Sequence, residues 1–278
     1  MALAQERNVG RLITIGSHVP RRHPCVGAQQ RGAEVVQVNL SAPRNWAAPV
    51  PHGDEDTLAA SGLPMFVHAP YVVNPASPDA GVRHRSRTCL EAESVAAARL
   101  GACGLVVHGG HAGEDASVGD GIDRWVETLR GAHLGCRLLI ENTAGGSSAV
   151  ARTPNDLGRL VEALRGVGHD VGVVLDTCHA HAAGLDLRTV VDELSEACGA
   201  IDLVHANDSK DPAGSGRDRH EHLGEGTVPP EHLVAVVASA GAPIVVETPG
   251  GASRQAADIA WLRDRLGPLA QGATSVDA

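Results

Sequence analysis

Short β-branched apolar runs recur along the chain: LITIGSH (12–18), EVVQVNL (34–40), PMFVHAP (64–70), GLVVHGG (104–110), CRLLIENT (136–143), VGVVLDT (171–177), AIDLVHAND (200–208) and PIVVETP (243–249). Between them lie Ala-, Leu-, Arg- and Glu-rich stretches with helical spacing, among them 88–102, 153–168, 187–200 and 229–242. Several of these open on a proline or a capping residue and close at glycine, the expected helix punctuation. Continuous apolar strands separated by helices predict a parallel sheet buried on both faces. Eight such units predict closure into an eight-stranded parallel TIM barrel, with a doubly wound open sheet as the alternative. No linker or shift in composition divides the chain, so residues 1–278 read as one domain. The longest irregular stretch, 207–228, is polar and glycine-rich and reads as a functional loop.

The polar residues fall at the ends of these runs. His18, His68, His108, Glu141, Asp176, His205 and Glu247 each terminate a predicted strand. All strand C-termini of a parallel barrel open on one face, so these seven side chains are expected to converge on one pocket. Any one alone could be a polar strand end satisfied by backbone. Together, without ions, they would crowd one mouth with repulsion and unmet hydrogen bonds. Two loops add donors: His179 follows Asp176 by three residues in LDTCHAH, and Asp218 and His220 alternate in GRDRHEHLGEG, so an extended backbone points both the same way. Imidazole nitrogen with carboxylate oxygen suits Zn²⁺, with Mn²⁺ or Fe²⁺ as alternatives. Cys178, between Asp176 and His179, is read as packing.

Composition narrows the classes. No apolar run approaches the roughly 18 residues of a membrane span. The first residues lack a basic stretch, apolar core and cleavage site, so a cytoplasmic location is expected. Six scattered cysteines without a CxxC pair read as reduced thiols. A formal charge of −10 argues by itself against a polyanionic partner. Aromatic residues are only 2% of the chain, so an exposed one carries more information than usual. A serine-nucleophile GxSxG and a Walker loop are both missing, and the lone Lys210 makes Schiff-base chemistry a poor fit.

The segments VLDTCHAHAAGLDLR, HANDSKDPAGSGRDRHEHLGEG, LIENTAGG and VVETP resemble the signatures of the endonuclease IV family, the metal-dependent apurinic/apyrimidinic endonucleases. The likeness runs from GSHV to Trp261 and Leu262, nearly the whole chain. It implies an eight-stranded barrel holding three zinc ions that cuts double-stranded DNA 5′ to an abasic site and leaves a 3′-hydroxyl, acts as a monomer and also clears blocked 3′ ends. By the resemblance, His68, His108 and Glu141 hold one ion. Glu141 bridges to a second, also held by Asp176, His205 and Glu247, and His179, Asp218 and His220 hold the third. Glu141 is the implied catalytic carboxylate, and Arg44, Tyr71 and Val72 are the implied DNA-contacting residues. Three divalent ions would set about +6 against the four carboxylates of the set, which answers the charge objection. Two other classes compete: a barrel isomerase or epimerase, which has no use for the third donor set, and a non-catalytic damage-binding protein, expected to have lost a donor.

Overall fold

The computed structural model describes residues 13–50, 55–146 and 148–267. In chain order the elements are β1 (Ile15–His18), α1 (Pro24–Arg31), β2 (Val36–Val38), α2 (Glu55–Ala60), β3 (Met65–His68), α3 (Ala80–Arg99), β4 (Gly104–His108), α4 (Val118–Leu129), β5 (Leu138–Glu141), α5 (Pro154–Gly166) and β6 (Val171–Asp176). These are followed by α6 (Thr177–Ala183), α7 (Val190–Cys198), β7 (Leu203–His205), β8 (Asp208–Ser209), β9 (His220–Glu221), α8 (Pro230–Ala240), β10 (Ile244–Val246) and α9 (Ala252–Leu266). Eight strands close a parallel barrel in the order β1-β10-β7-β6-β5-β4-β3-β2, and each coincides with one of the apolar runs. The eight-stranded TIM barrel is the observed fold, and the open sheet is ruled out by the β1–β10 and β1–β2 pairings.

Helix starts follow local chemistry. Ser117 and Asp120 form a reciprocal capping box at α4, and Thr153 caps α5 just ahead of Pro154. One expected boundary is wrong. The helix placed at 88–102 is α3, which begins eight residues earlier, where Asp79 accepts from the Val82 N–H. Its first two turns, AGVRHRSR, are mostly solvent-facing and carry no apolar period, so the cap is the only signal there.

The strands alternate sides with a period of two. Outward residues such as Met65, Val67, Leu105, Ile140, Val173 and Ile244 join the large core beneath the helices, with Leu90, Trp125, Leu157 and Leu262. Each such fully buried aliphatic contributes about 1.5–3 kcal/mol. Inward residues Val35, Phe66, Val106, Leu139, Val174, Leu203 and Val245 form a separate plug inside the barrel. On β1 the matching position is Gly16, where a Cβ would lie 1.6 Å from the Val35 carbonyl oxygen, so only glycine fits. Two residues further along every strand the inward side chain turns polar. All six cysteines are free, with Cys89, Cys178 and Cys198 buried and Cys103 exposed. Among the described residues no helix is long and apolar enough to cross a membrane.

Candidate metal centre

Strand register assembles the centre. His108 lies directly opposite Glu141 in the β4–β5 pairing, and Asp176 opposite His205 in β6–β7. His68 ends β3, and Glu247 follows β10 by one residue. The plug beneath them keeps the level in place: Phe66 precedes His68 by two residues, Val106 precedes His108, Leu139 Glu141, Val174 Asp176, Leu203 His205 and Val245 Glu247. Two loop elements complete it. Asp176 is also the N-cap of α6, its Oδ1 accepting from the His179 N–H at 2.8 Å, which seats His179 over the mouth. The long loop between β7 and α8 is not irregular throughout. It folds into the antiparallel ribbon β8–β9, in which Ser209 faces His220. Buried Asp208 accepts from the N–H groups of Ser209, Gly224, Gly226 and Val228 and so fixes the loop carrying Asp218 and His220.

All nine expected donors come together, in three adjoining groups. Glu141 Oε2 lies 3.1 Å from His68 Nε2 and 3.4 Å from His108 Nε2. Glu141 Oε1 lies 3.1 Å from His205 Nδ1, which is also 3.3 Å from Glu247 Oε2 and 3.9 Å from Asp176 Oδ2. Asp218 Oδ1 lies 3.2 Å from His179 Nε2 and 3.1 Å from His220 Nε2, with Asp176 Oδ2 3.6 Å from the latter. Glu141 thus turns Oε2 to the first group and Oε1 to the second, the latter also 3.2 Å from His179 Nδ1, and Asp176 stands between the second and third. The ligand atoms of His68, His108 and Glu141, of Glu141, Asp176, His205 and Glu247, and of Asp176, His179 and His220 lie within 4.8 Å of one another inside each group.

The imidazoles are oriented from behind. His68 Nδ1 donates to the Ala69 carbonyl at 2.8 Å, His179 Nδ1 to that of Asn142 at 2.9 Å, and His205 Nε2 to the Gln37 side-chain oxygen at 2.8 Å. Because each acceptor is a carbonyl, the bonded nitrogen must carry a proton. The other faces the carboxylates, where it donates a second proton when no cation is bound and would turn a lone pair to a cation that replaced that proton. Burial alone would lower His205, yet Glu247 and Glu141 outweigh it and hold the ring at about 9. Burial likewise opposes charge on His220, but Asp176 and Asp218 keep it at about 9. His108, where desolvation wins, falls to about 4. Burial disfavours charge on Glu141, but His108 and His205 pull it well below the usual carboxylate range. Without cations, then, protons on histidine do the neutralising. His220 Nε2 is buried with no hydrogen-bond partner of acceptable geometry despite oxygens 3.1 and 3.6 Å away. Nitrogen and oxygens aimed at one shared point, and not at each other, fit a cation between them.

Several residues escaped the sequence reading. Gln37 is fully buried, accepts from His205 and donates to Glu247 Oε1 at 2.6 Å. It stands two residues after Val35 of the plug, so the rule that found the other strand-end residues finds it too. Asn207 donates to Asp176 Oδ2 and accepts from the Glu247 N–H. Cys178, read as packing, brings its sulfur within 4.8 Å of the ligand atoms of Asp218 and His220. Burial and the Asp176 carboxylate push its thiol up to about 12, so it sits there as a neutral group. His18 bonds Glu247 and Asn39, and Lys210 faces Glu221 at 3.9 Å.

Tyr71 stands at the rim, 65% exposed, its ring 5.5 Å from that of His108. Val72 beside it is half-buried, and Arg44 is exposed on the neighbouring loop. The Tyr71 N–H donates to the Pro43 carbonyl at 2.8 Å, which joins the two loops. Trp46 is partly buried against the core and covered by the Arg85 guanidinium, so packing accounts for it. A cleft of about 580 Å³ runs from Tyr71 and His108 past Gly145 and Gly216 to Arg217. A Cβ on Gly145 would lie 2.2 Å from the Gly216 carbonyl oxygen, so glycine there lets the two loops touch and line the cleft with bare backbone.

Residues 28–265 match the family model described as Xylose isomerase-like TIM barrel. The chain is 45% identical over 253 residues to a protein of Mycobacterium tuberculosis named "Probable endonuclease 4", covering 91% of this chain and 99% of that one. The protein of the same name in Mycobacterium leprae is 46% identical over 251 residues, covering 90% and 98%. The crystal structure of endonuclease IV from Thermus thermophilus superposes with a TM-score of 0.78 at 29% identity, covering 91% and 98%. A D-tagatose 3-epimerase-like protein superposes at 0.72 with 18% identity, covering 92% and 98%, a likeness of fold alone. The chain therefore belongs to the endonuclease IV family of xylose isomerase-like TIM barrels.

Proposed function

We propose that this chain is a monomeric, cytoplasmic DNA repair endonuclease that hydrolyses the phosphodiester bond 5′ to an abasic site in double-stranded DNA. On this reading it leaves a 3′-hydroxyl and a 5′-deoxyribose phosphate, and it also removes 3′ blocking groups. The observation that carries the reading is the cluster of His179, Asp218 and His220 standing beside two further donor groups that share Glu141, with Asp176 adjoining it. An isomerase or epimerase needs one or two ions and would leave His179, Asp218 and His220 without a purpose. A damage-binding protein without catalysis has no need of a complete donor set.

In this assignment His68, His108 and Glu141 hold one Zn²⁺, Glu141, Asp176, His205 and Glu247 a second, and His179, Asp218 and His220 a third, with Mn²⁺ or Fe²⁺ able to replace zinc. Bound divalent ions supply Lewis acidity, lowering the pKa of water to about 7 and neutralising charge that develops on a phosphodiester. The protein supplies the rest. Glu141, depressed and buried, remains an acceptor at neutral pH and orients or deprotonates the attacking water. The ring nitrogens locked by Ala69, Asn142 and Gln37 keep the donors in register before substrate arrives. The cleft of about 580 Å³ gives an extrahelical abasic nucleotide a place beside the centre. Unstacking is least costly where the base is already gone. Tyr71, with Val72 and Arg44, then fills the gap left in the duplex.

A cleavage assay on an end-labelled duplex carrying one tetrahydrofuran abasic analogue tests the proposal. Metal-replete protein is expected to cut once, 5′ to the analogue, and to stop in excess chelator. An intact duplex under metal-replete conditions would end the proposal.

A further inference from the structure

Beside the centre, the β1–α1 loop and the last turn of α1 enclose a second cavity of about 450 Å³, lined in part by Arg21, Arg22, Arg31, Asn39 and Gln255 and by no Asp or Glu. That is unusual in a chain of formal charge −10. Several arginines elsewhere are answered by acids, Arg137 by Asp170 and Asp202, Arg188 by Asp186, Arg219 by Asp211, Arg254 by Glu225 and Arg263 by Glu34, while others, such as Arg124 and Arg165, donate to backbone carbonyls.

Arg31 is the sharpest case. It is only 7% exposed, yet its Nε donates to Gln255 Oε1 at 2.6 Å and its Nη1 to the Gly27 carbonyl at 2.9 Å, both neutral acceptors. Among the described residues no carboxylate lies within ion-pair distance of it, and burial lowers its guanidinium from the ordinary value with nothing opposing. A buried cation without a counter-charge is destabilising unless a ligand provides one. Among the described residues only two of its five N–H groups have a protein acceptor, which leaves three in the planar fork that matches phosphate oxygens. Arg21 is steadied above it by the Leu40 carbonyl, and Arg22 is exposed at the opening.

Position says which phosphate. The cavity shares His18, Asn39 and Pro43 with the smaller one, about 190 Å³, that is lined by His68, His108, His179, Asp218, His220 and Glu247 of the donor set. Whatever enters it is adjacent to the reacting bond. We infer that this cavity is a phosphate subsite, holding a backbone phosphate next to the scissile one on the same DNA strand through Arg21, Arg22 and Arg31. This rests on the phosphodiesterase reading above.

The test is a scan of abasic-analogue duplexes in which one flanking phosphate at a time is an uncharged methylphosphonate, cut by the metal-loaded protein and by the Arg21→Ala/Arg22→Ala and Arg31→Lys variants. The wild type is expected to lose about tenfold in kcat/KM, through KM, at one position beside the cut. Arg21→Ala/Arg22→Ala, which alters the rim and leaves the interior unchanged, should lose about as much on the all-phosphate duplex, with kcat kept, and should no longer sense that position. Its plot of log(kcat/KM) against log salt should be shallower by about 0.9, one phosphate contact. Arg31→Lys, which keeps the charge and loses the fork, should fall between. A wild-type scan with no sensitive position, or a variant scan identical to wild type, overturns the subsite while the endonuclease reading stands. Loss of competition by inorganic phosphate with an unchanged KM for DNA would make this a site for free phosphate and overturn the assignment to the strand. A wild-type protein that cuts no duplex overturns both.

Discussion

Two successive levels inside the barrel are built from the same strands and share the same backbone geometry, yet they obey opposite rules. The lower, from Val35 through Phe66 and Leu139 to Val245, is a buried cluster that is aliphatic except for one ring. The upper, two residues on, holds Gln37, His68, His108, Glu141, Asp176, His205 and Glu247. The lower level is held by packing alone, and the upper needs neutralising charge to exist at all. One step of two residues in each strand therefore separates what makes the barrel from what makes it reactive, so the two can be perturbed separately.

The strongest way to break that separation is at Glu141. Glu141→Gln should cut turnover by about 1,000-fold while duplex binding and the folded state survive. End-labelled cleavage and anisotropy on the same preparation check this, and unchanged turnover would remove Glu141 from the chemistry. Next is the level below. Phe66→Ala, which empties part of the plug, should cost about 3–5 kcal/mol in urea unfolding. Metal stoichiometry at saturation should stay unchanged, and a loss of bound metal without a loss of stability would show the two levels to be one.

A smaller effect is expected at Gln37, which belongs to the upper level without being a donor. Gln37→Ala should weaken metal affinity by roughly 10–100-fold, read by competition with a chromogenic chelator. An unaltered affinity would leave the His205 ring oriented by something else. The mildest test is pH on chelator-treated protein. His205 and His220 are raised from 6.5 to about 9, so they stabilise the metal-free fold fully below about pH 6.5, and that contribution is lost as pH rises through 9. Melting temperature should therefore drift down across that window in metal-free protein and much less in the loaded form. Identical drifts would mean that the imidazoles are not the groups ions replace.

Much of this was legible in the chain. The eight strands and their polar ends could be read because an inward position and the one two residues later face the same space, and the barrel offers them one opening. The pairing of Asp218 with His220 was readable for the same reason, through alternation. What stayed hidden has a physical cause in each case. The first turns of α3 are exposed and leave no apolar stripe. Strands β8 and β9 are two residues long, too short for any period, and are held by the Asp208 carboxylate and not by side-chain pattern. Gln37 is a neutral amide and looks ordinary until its neighbours' charges are in place. Arg21, Arg22 and Arg31 lie close together in the chain, but the rest of their surroundings comes from distant segments, and only the fold shows that no acid lines the cavity with them.

The bond from the Tyr71 N–H to the Pro43 carbonyl has a mechanical consequence. The two rim segments, which leave different strands, cannot swing independently without giving it up. A probe that inspects helical DNA with them would be pressed in and withdrawn as a single stiff tool, so a change that loosens either segment should blunt both.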